Sequence, residues 1–444
     1  MNEKLKSVEQ TLKKYGQEHL LNQYYRIKDK KEAEAYLNSL LTINYQQVKM
    51  LYDKCEEKPS FLSSKIEPIE YVDKSALSES DYEKYSKIGS KVIKDGKLAV
   101  VTMAGGQGTR LGHNGPKGTF DIGLASHKSI FEILTDTLKE AREKFDVDIP
   151  WYIMTSDENN EPTVKFFEEH DYFGYPKSCV IFFKQGKLPM VSTEGKILIG
   201  ENGKIKEAAD GHGGVFLSLR KEGMLYDMKS RGVKYVFIGG VDNVLVKPVD
   251  DVLMGLVEEE HADAAGKSLV KANPHEKVGV FCKRDGRPSV VEYSEISDEM
   301  AEATTPSGEL KFGESHILCN LFSLDIIEKV SKKELPYHIA IKKASYIDDE
   351  GNLVEPTEPN ACKFEAFLFD AFESIRNMLV FRVKREEEFA PVKNAEGVDS
   401  PKTAKELYEN FQKNKNKQSK TTKTTKTKTT TKNTKPKATK KKTK

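Results

Sequence analysis

The sequence lacks long apolar segments. No apolar run approaches the roughly 20 residues that a membrane-spanning helix needs, and the N-terminal stretch MNEKLKSVEQ contains no apolar signal segment. Hydrophobic residues make up 37 % of the chain and charged residues 32 %, a balance typical of water-soluble globular proteins. We therefore expect no membrane partner, no secretion and a cytoplasmic location.

Cysteine is scarce, with five residues and no CxxC pair. The odd number and the scattered positions argue against a disulfide framework and against a zinc site, and they fit reduced thiols in a cytosolic protein. Cys282 and Cys319 lie in apolar surroundings. This context predicts core positions for both cysteines rather than a nucleophilic role.

Acidic residues are absent from residues 413–444, which hold 14 lysines, mostly among threonines. Removing these lysines from the net charge of +2 leaves −12 for the rest of the chain, so phosphate chemistry there depends on a few placed cations. The segment has almost no apolar surface to bury, and we expect it to be disordered. Charge alone permits weak contact with nucleic acid or an acidic partner, but no aromatic residues interleave the lysines to stack on bases.

The chain is organised around residues 97–118, KLAVVTMAGGQGTRLGHNGPKG. Residues 98–103 form a short apolar run with β-branched valines, typical of a strand buried on both faces. Glycine lets the following backbone turn tightly and approach a ligand closely. Arg110 within this loop and Lys117 just beyond it predict that the ligand is an anion. Four glycines fall within eight positions: Gly105, Gly106, Gly108 and Gly112.

This loop matches neither of two familiar phosphate motifs. Leu111 stands where a dinucleotide fingerprint needs its third glycine, and no GxxxxGK[ST] surrounds it. The spacing alone leaves open a purely structural turn between a strand and a helix. The two basic residues favour phosphate binding over that alternative.

Strand-like runs alternate with helical ones from residue 97 onward. The alternation predicts an α/β fold with a doubly wound, mostly parallel nucleotide-binding sheet. Leucines at helical spacing predict a helical N-terminal region over residues 1–94 that packs against the central domain. We place the central domain at 95–330, a smaller C-terminal lobe at 331–412 and the disordered tail at 413–444. Charged residues between about 321 and 360 indicate further helix.

Several motifs begin where strands of such a sheet should end, which is where ligands bind. Gln185 follows IFFK and offers a donor and an acceptor to a flat ring, although a plain loop residue is an equal interpretation. Residues 210–214, DGHGG, form a second glycine loop built from ordinary turn dipeptides. Asp242 follows the run VFIGGV and, taken alone, is typical of a turn or cap.

Three later features have ordinary interpretations when taken alone. Glu292 lies on the second of two predicted antiparallel strands joined at residues 285–286, where a solvent-facing carboxylate is expected. The aromatic residues of KFEAFLFDAF are spaced for core packing. Lys393, two residues after Pro391, is expected at the surface.

GGQGTRLG followed by PKG resembles the signature of the UDP-sugar pyrophosphorylases, and VVEYSEI and FAPVKN resemble their hexose site and lysine loop. The resemblance extends from about residue 97 to about residue 394 and is greatest to the UDP-N-acetylhexosamine branch. It implies that UTP and a hexose 1-phosphate, first N-acetylglucosamine 1-phosphate, give the UDP-sugar and pyrophosphate. The sugar phosphate attacks the α-phosphate of UTP in line, without a covalent intermediate.

The resemblance also implies a role for each matching residue. The catalytic cations are Arg110, Lys117 and Lys393. The UTP-binding residues are Gly105, Gly106, Gln107, Gly108, Thr109, Gln185 and Gly211. The residues for the sugar phosphate are His212, Gly279, Glu292, His316, Phe367 and Phe369. Asp242 is implied as the ligand of a Mg²⁺ cofactor, which suits a hard cation that binds few carboxylates and substrate phosphates.

Two histidines depart from the pattern of the N-acetylhexosamine branch. His212 and His316 stand where those enzymes tend to have asparagine, and His212 is more similar to the UDP-glucose branch. The preferred sugar therefore stays open between N-acetylglucosamine, glucose and a broad range, as does whether His316 or Asn320 contacts it. A binding protein that acts through its tail is the alternative from another class. We expect a monomer or weak homo-oligomer, and assign no role to His275 or His338.

Overall fold

The structure is a computed structural model that describes residues 3–54 and 64–430, with side chains up to residue 417. The helices are α1 Glu3–Tyr15, α2 His19–Arg26, α3 Lys30–Thr42, α4 Tyr45–Asp53, α5 Glu79–Lys94, α6 Ile130–Phe145, α7 Asn160–Glu169, α8 Val215–Lys221, α9 Met224–Ser230, α10 Asp251–Glu259, α11 Asp298–Glu302, α12 Leu324–Val330, α13 Arg385–Glu388 and α14 Pro401–Thr430. The strands are β1 Ile66–Pro68, β2 Val72–Asp73, β3 Leu98–Met103, β4 Trp151–Thr155, β5 Val180–Lys184, β6 Lys187–Pro189, β7 Val191–Ser192, β8 Glu207–Ala209, β9 Tyr235–Gly240, β10 Ala264–Val270, β11 Val280–Arg284, β12 Arg287–Val291, β13 Glu314–Ser323, β14 Tyr337–Lys342, β15 Tyr346–Ile347, β16 Leu353–Val354, β17 Ala361–Ala366 and β18 Met378–Arg382.

A central sheet carries the fold, with strand order β2-β18-β10-β13-β9-β3-β4-β5. β13 pairs antiparallel with both its neighbours in this order, whereas the other adjacent pairs are parallel. A hairpin of β11 and β12 joins this sheet at β13, and its turn at Asp285 and Gly286 uses positive φ at both residues. The predicted mostly parallel α/β sheet is confirmed.

Helices cover both faces of this sheet because its middle strands are apolar on both sides. All six residues of β3 are buried. Residues of α6 and α10 pack into one core, and residues of α8, α9 and α12 pack into the core on the opposite face. Cys282 and Cys319 are buried, as predicted for core residues. In the described part of the chain, no helix has both the length and the apolar character that crossing a bilayer requires.

The first four helices pack on a small sheet that includes β7, from the region predicted as the central domain. Apolar residues of α1–α4 pack against the small sheet β14-β17-β7, where Leu12, Leu37 and Leu51 share a core with Val191 and Phe364. The rest of the N-terminal region contacts the central sheet directly, because α5 packs on α10 while β1 pairs with β11 and β2 with β18. Two glycines, one from each helix, let these backbones touch, because an added Cβ at Gly89 or Gly255 would lie within 2 Å of the other helix.

Between residues 321 and 360 the prediction of helix was wrong. The structure has the end of β13, the short helix α12, and then β14, β15 and β16. β14 pairs with β17 from Tyr337↔Ala366 to Lys342↔Ala361. None of its six residues is buried, so β14 lacks the continuous apolar run of the central strands, and the charged residues around it favoured a helix.

The C-terminal helix differs from the expected disorder. α14 continues to Thr430, so residues 413–430 have helical backbone, whereas residues 431–444 lie outside the described residues. Leu407, Tyr408 and Phe411 anchor the helix on the central core. Extending an anchored helix costs far less free energy than nucleating a new one. This difference explains how a segment without apolar residues continues α14.

Candidate active site

The glycine loop and Asp242 meet at the switch point of the central sheet. β3 and β9 are parallel neighbours, and their last residues, Met103 and Gly240, are paired. From β3 the chain continues to β4 on one side, while β9 lies on the other. Loops that leave the two carboxyl ends therefore border one crevice, the usual ligand site of such sheets.

Internal hydrogen bonds shape the glycine loop. The amide of Gly108 donates to the carbonyl of Gly115 at 2.9 Å, and the amide of Lys117 donates to the carbonyl of Gly106 at 3.1 Å. Asn159, at the start of α7, is fully buried and donates from Nδ2 to the carbonyls of Ala104 and Gly106. The loop is thus a fixed backbone cradle, and sequence reasoning missed Asn159.

Gln185 lies directly against this cradle. Its amide N–H donates to the carbonyl of Thr155 at 2.8 Å, which continues the pairing of β4 with β5. A Cβ added at Gly105 would lie 1.9 Å from Gln185 Oε1, so any side chain there would displace the Gln185 amide, whereas Gly106 has open space above it. The structure brings together Gly105, Gly106 and Gln185, three of the residues that the resemblance implies for UTP.

The DGHGG loop links this region to the small sheet. A Cβ at Gly186 or Gly214 would lie within 2.5 Å of the carboxyl oxygens of Asp210. Burial raises the pKa of Asp210 to about 6. Gly211 takes a φ of 88° and packs against the backbone of Ala366 at the end of β17. Gly211 therefore contributes close backbone contact, and the loop carries His212 up to the aromatic residues after β17.

Three cations and one carboxylate form the charged half of the cleft: Arg110, Lys117, Asp242 and Lys393. Burial lowers the pKa of Lys117, Asp242 opposes this shift, and the Lys393 and Arg110 cations add to it. Arg110 and Thr109 are exposed on the short turn Thr109–Leu111, next to Gln107. Lys117 thus lies close enough to the other three charged groups for each of them to act on its ammonium.

Lys393 is held next to Asp242 by backbone pairing. Residues 388–394 form the lysine loop, in which the amide of Val392 donates to the carbonyl of Asp242 at 2.8 Å. Asn243 accepts from the amide of Ala390 at 2.9 Å through Oδ1 and donates through Nδ2 to the carbonyl of Glu388 at 2.7 Å. The Lys393 side chain remains 41 % exposed, so its ammonium is available to a ligand.

The opposite half of the cleft, which we call the aromatic half, contains His212, Gly279, Glu292, His316, Phe367 and Phe369. The amide of His316 donates to the carbonyl of Gly279 at 2.8 Å. A Cβ at Gly279 would lie 2.8 Å from Val290 and 3.3 Å from Glu292 Oε1. Burial and the nearby Glu295 raise the pKa of Glu292, which is therefore no ordinary solvent-facing carboxylate.

Stacked rings line the aromatic half. Phe367 lies between His212, at 5.4 Å between centroids, and His338, at 4.4 Å, with interplanar angles of 24° and 25°. His338 also pairs with Asp370 at 3.0 Å. Interpreting His338 as a plain surface residue was wrong. The pairing of β14 with β17 brings His338 beside Phe367. This contact could not be predicted once the segment was interpreted as a helix.

Burial keeps the two histidines of the aromatic half neutral. It lowers the pKa of His212 to about 4 and that of His316 to about 3. The backbone amide of Leu368 donates to Nδ1 of His212 at 3.0 Å, which leaves the proton of the neutral ring on Nε2. Asn320 is fully buried beneath His316, so His316 is the residue of this pair that can face the cleft.

Asp242 suits a magnesium ion better than a metal held by protein alone. Among the described residues, no group of three or more His, Cys, Asp or Glu side chains is placed to hold a metal. Asp242 is a partly exposed single carboxylate at a strand end. Mg²⁺ typically takes one or two carboxylates, several waters and substrate phosphates. The residues present therefore fit Mg²⁺ that arrives with a phosphate ligand.

A doubly wound sheet with a glycine cradle and a strand-end carboxylate at its switch point defines the class of nucleotide-binding α/β proteins. Comparison with known sequences gives the family. The profile described as UTP--glucose-1-phosphate uridylyltransferase matches residues 44–439. The chain belongs to this family of nucleotidyltransferases.

Relatives match over most of the chain. UDP-N-acetylhexosamine pyrophosphorylase-like protein 1 of Xenopus tropicalis is 39 % identical over 84 % of this chain and 77 % of its own length. UDP-N-acetylglucosamine pyrophosphorylase of Saccharomyces cerevisiae is 35 % identical over 88 % and 87 %. The crystal structure of uridine diphosphate N-acetylglucosamine pyrophosphorylase from Trypanosoma brucei has a TM-score of 0.78 at 30 % identity, covering 92 % of this chain and 84 % of that one.

Proposed function

We propose that the protein transfers the uridylyl group of UTP to N-acetylglucosamine 1-phosphate and releases pyrophosphate. One observation carries the proposal: the lysine loop is paired to the Asp242 turn beside Lys117 and the glycine cradle. This arrangement gathers cations and a carboxylate where two phosphate-bearing substrates must meet. Relatives that match most of the chain are named for the same product.

The chemical step needs alignment and charge stabilisation rather than a nucleophilic side chain. A phosphate oxygen of the sugar 1-phosphate forms a bond to the α-phosphorus of UTP, the bond to the bridging oxygen breaks, and its electron pair leaves on pyrophosphate. Lys393 screens the repulsion between the two substrates, Arg110 holds the leaving pyrophosphate, and Lys117 holds the phosphates near the reaction centre. Mg²⁺ bound to Asp242 would neutralise phosphate charge.

Base recognition in this proposal depends on the fixed cradle. We place the uracil beside Gly106, which has open space above it, with the Gln185 amide at its edge, and the triphosphate along the glycine loop. Gly211 supports the same region through its contact with β17. An amide that offers both a donor and an acceptor matches the edge of a pyrimidine.

The aromatic half provides the sugar site. Glu292 accepts from sugar hydroxyls beside the backbone of Gly279, and Phe367 and Phe369 cover the apolar face of the ring. The neutral His212 offers its Nε2 proton, and His316 lies beside Phe369, with ring centroids 5.8 Å apart. These two imidazoles support a second candidate, UDP-glucose or a broader UDP-sugar product, because they replace the asparagines expected for an acetamido group.

Pyrophosphate release with UTP and a panel of sugar 1-phosphates tests the proposal. The panel contains N-acetylglucosamine, N-acetylgalactosamine and glucose 1-phosphates, and ATP replaces UTP as the nucleotide control. We expect UTP-dependent turnover that is highest with N-acetylglucosamine 1-phosphate. Higher turnover with glucose 1-phosphate would favour the second candidate, and no turnover with any sugar would contradict the function. A cytoplasmic location and a monomeric or weakly associating state stay predictions.

A further inference from the structure

Four charged side chains from separate elements, three of them buried and Lys74 partly buried, form a closed network, the charge quartet: Lys74, Asp250, Lys267 and Glu388. Lys267 Nζ lies 3.0 Å from Asp250 Oδ2 and 2.5 Å from Glu388 Oε2. Lys74 Nζ lies 2.7 Å from Asp250 Oδ2 and 3.7 Å from Glu388 Oε1. The Lys267 and Glu388 side chains are 1 % and 2 % exposed. Two cations thus balance two carboxylates inside the protein.

The quartet joins the central sheet to the lysine loop. Lys267 lies on β10, and Asp250 caps α10 by accepting from the amides of Val252 and Leu253. Glu388 is the last residue of α13 and the first of the lysine loop. Although burial alone would raise the pKa of Asp250, the ammonium groups hold it below its ordinary value. The Glu388 side chain is therefore held in place by the Lys267 ammonium, which belongs to the central sheet.

Asn243 carries this constraint to the charged half of the cleft. It donates to the backbone carbonyl of Glu388 and accepts from the amide of Ala390. Asp242 is its chain neighbour, and the Asp242 carbonyl accepts from Val392. Glu388 is thus held from one side by Lys267 and from the other by Asn243, and Lys393 follows five residues later.

Stability alone does not account for such a network, because well-packed apolar residues often serve as well or better than a buried ion pair. We propose that Lys267 is a positioning residue for uridylyl transfer, which acts through Glu388 to hold the lysine loop against the Asp242 turn. This role goes beyond the proposed function and rests on it, since it requires the assigned action of Lys393 on the phosphates.

A second buried ion pair offers a matched control. Arg382 on β18 pairs with Glu314 on β13, with side chains 14 % and 6 % exposed. Ser268, next to Lys267 on β10, donates to Glu314 at 2.6 Å. The Arg382–Glu314 ion pair thus spans β10, the strand that carries Lys267. The further contacts of Arg382 are with Asp73 and Tyr71, away from the lysine loop.

The test is a double-mutant cycle in the full chain. Wild type, Lys267→Met, Lys393→Ala and the double variant are compared by steady-state kinetics with UTP and the best sugar 1-phosphate, with Arg382→Met as control. We expect Lys267→Met to lower kcat about 10- to 100-fold, because small misplacements of a catalytic group cost that much, with both KM values within about threefold. In the Lys393→Ala background the further loss should be under about threefold.

Each other outcome is informative. Full additivity with Lys393→Ala, or a kcat loss in Lys267→Met no larger than in Arg382→Met, would overturn the positioning role. Wild type without turnover contradicts the proposed function, and full turnover of Lys393→Ala contradicts the role of that lysine and the positioning role with it. If Lys267→Met does not fold, Lys267→Met/Glu388→Gln removes one charge of each sign, and the same kcat loss is expected.

Discussion

The two halves of the cleft treat charge in opposite ways. The charged half gathers three cations around Asp242, and its side chains stay partly open to solvent. The aromatic half keeps His212 and His316 neutral, because burial lowers the pKa of both, and burial also raises the pKa of Glu292. One cleft therefore contains a region suited to phosphates and a region suited to an uncharged sugar.

The halves also differ in how they are held. The charged half depends on loops that are pinned by buried amides, Asn159 under the glycine cradle and Asn243 under the lysine loop. The aromatic half depends on ring stacking between two segments that both adjoin β17. Changes in the first should affect the chemical step, whereas changes in the second should affect the choice of sugar.

Replacing Lys393 should have the largest effect. We expect Lys393→Ala to lower kcat about 10²- to 10³-fold, because it removes a preorganised cation from the reacting phosphates. Lys384→Ala is the matched control, since Lys384 is 51 % exposed and pairs with Glu387 on the surface. Turnover of Lys393→Ala within a few-fold of Lys384→Ala would contradict the distinction between the halves.

The sequence allowed some residues of the cleft to be predicted but not others. The motifs identified the glycine loop, Gln185, Asp242 and Lys393, because each follows a strand end. The residues that join them were not predictable, since a buried amide such as Asn243 gains its role from backbone groups 145 and 147 residues away. Sequence position alone does not show which remote carbonyl will need a donor.

His338 and the small sheet show a second limit. β14 is short and none of its six residues is buried, and its partner β17 begins only after the β15 and β16 hairpin. Local pattern favoured a helix, while pairing with a distant strand determined the structure. The central sheet was predictable because its strands are buried on both faces and carry an unambiguous apolar signal.

Removing the metal should have the next largest effect, and it should act on the charged half of the cleft. EDTA should abolish turnover, and Asp242→Asn should raise the Mg²⁺ concentration for half-maximal activity about 10- to 100-fold, because one charged ligand is lost. Asp399→Asn removes a carboxylate 3.8 Å from Lys393 and keeps a positive φ that asparagine tolerates. This control should leave the Mg²⁺ titration unchanged. Activity that persists in EDTA would refute the assignment of Asp242.

Changing the histidines should alter sugar choice and leave the charged half intact. We expect His212→Asn and His316→Asn to raise the ratio of kcat/KM for N-acetylglucosamine over glucose 1-phosphate about tenfold, because an amide can pair with an acetamido group. The KM for UTP should stay constant. The control is His275→Asn, at an exposed histidine paired with Glu302. Unchanged ratios in both cleft variants would remove these residues from the sugar site.

The smallest effect should be on stability in mild acid. Burial lowers the pKa of His316 to about 3 from 6.5. Below pH 6.5 this imidazole is therefore protonated in the unfolded chain but stays neutral in the folded protein. Stability is therefore present above pH 6.5 and lost as the pH falls, by about 1 kcal/mol between pH 6.5 and 5.5 for this single group.

His316→Asn removes that group, so its free energy of unfolding should fall less than that of the wild type over the same pH interval. Denaturant unfolding at the two pH values measures the difference, and His275→Asn should retain the wild-type slope. The comparison between pH values cancels any change in packing that asparagine introduces. An equal slope in His316→Asn and the wild type would mean that this imidazole titrates normally, and the aromatic half would then acquire positive charge in mild acid instead of staying neutral.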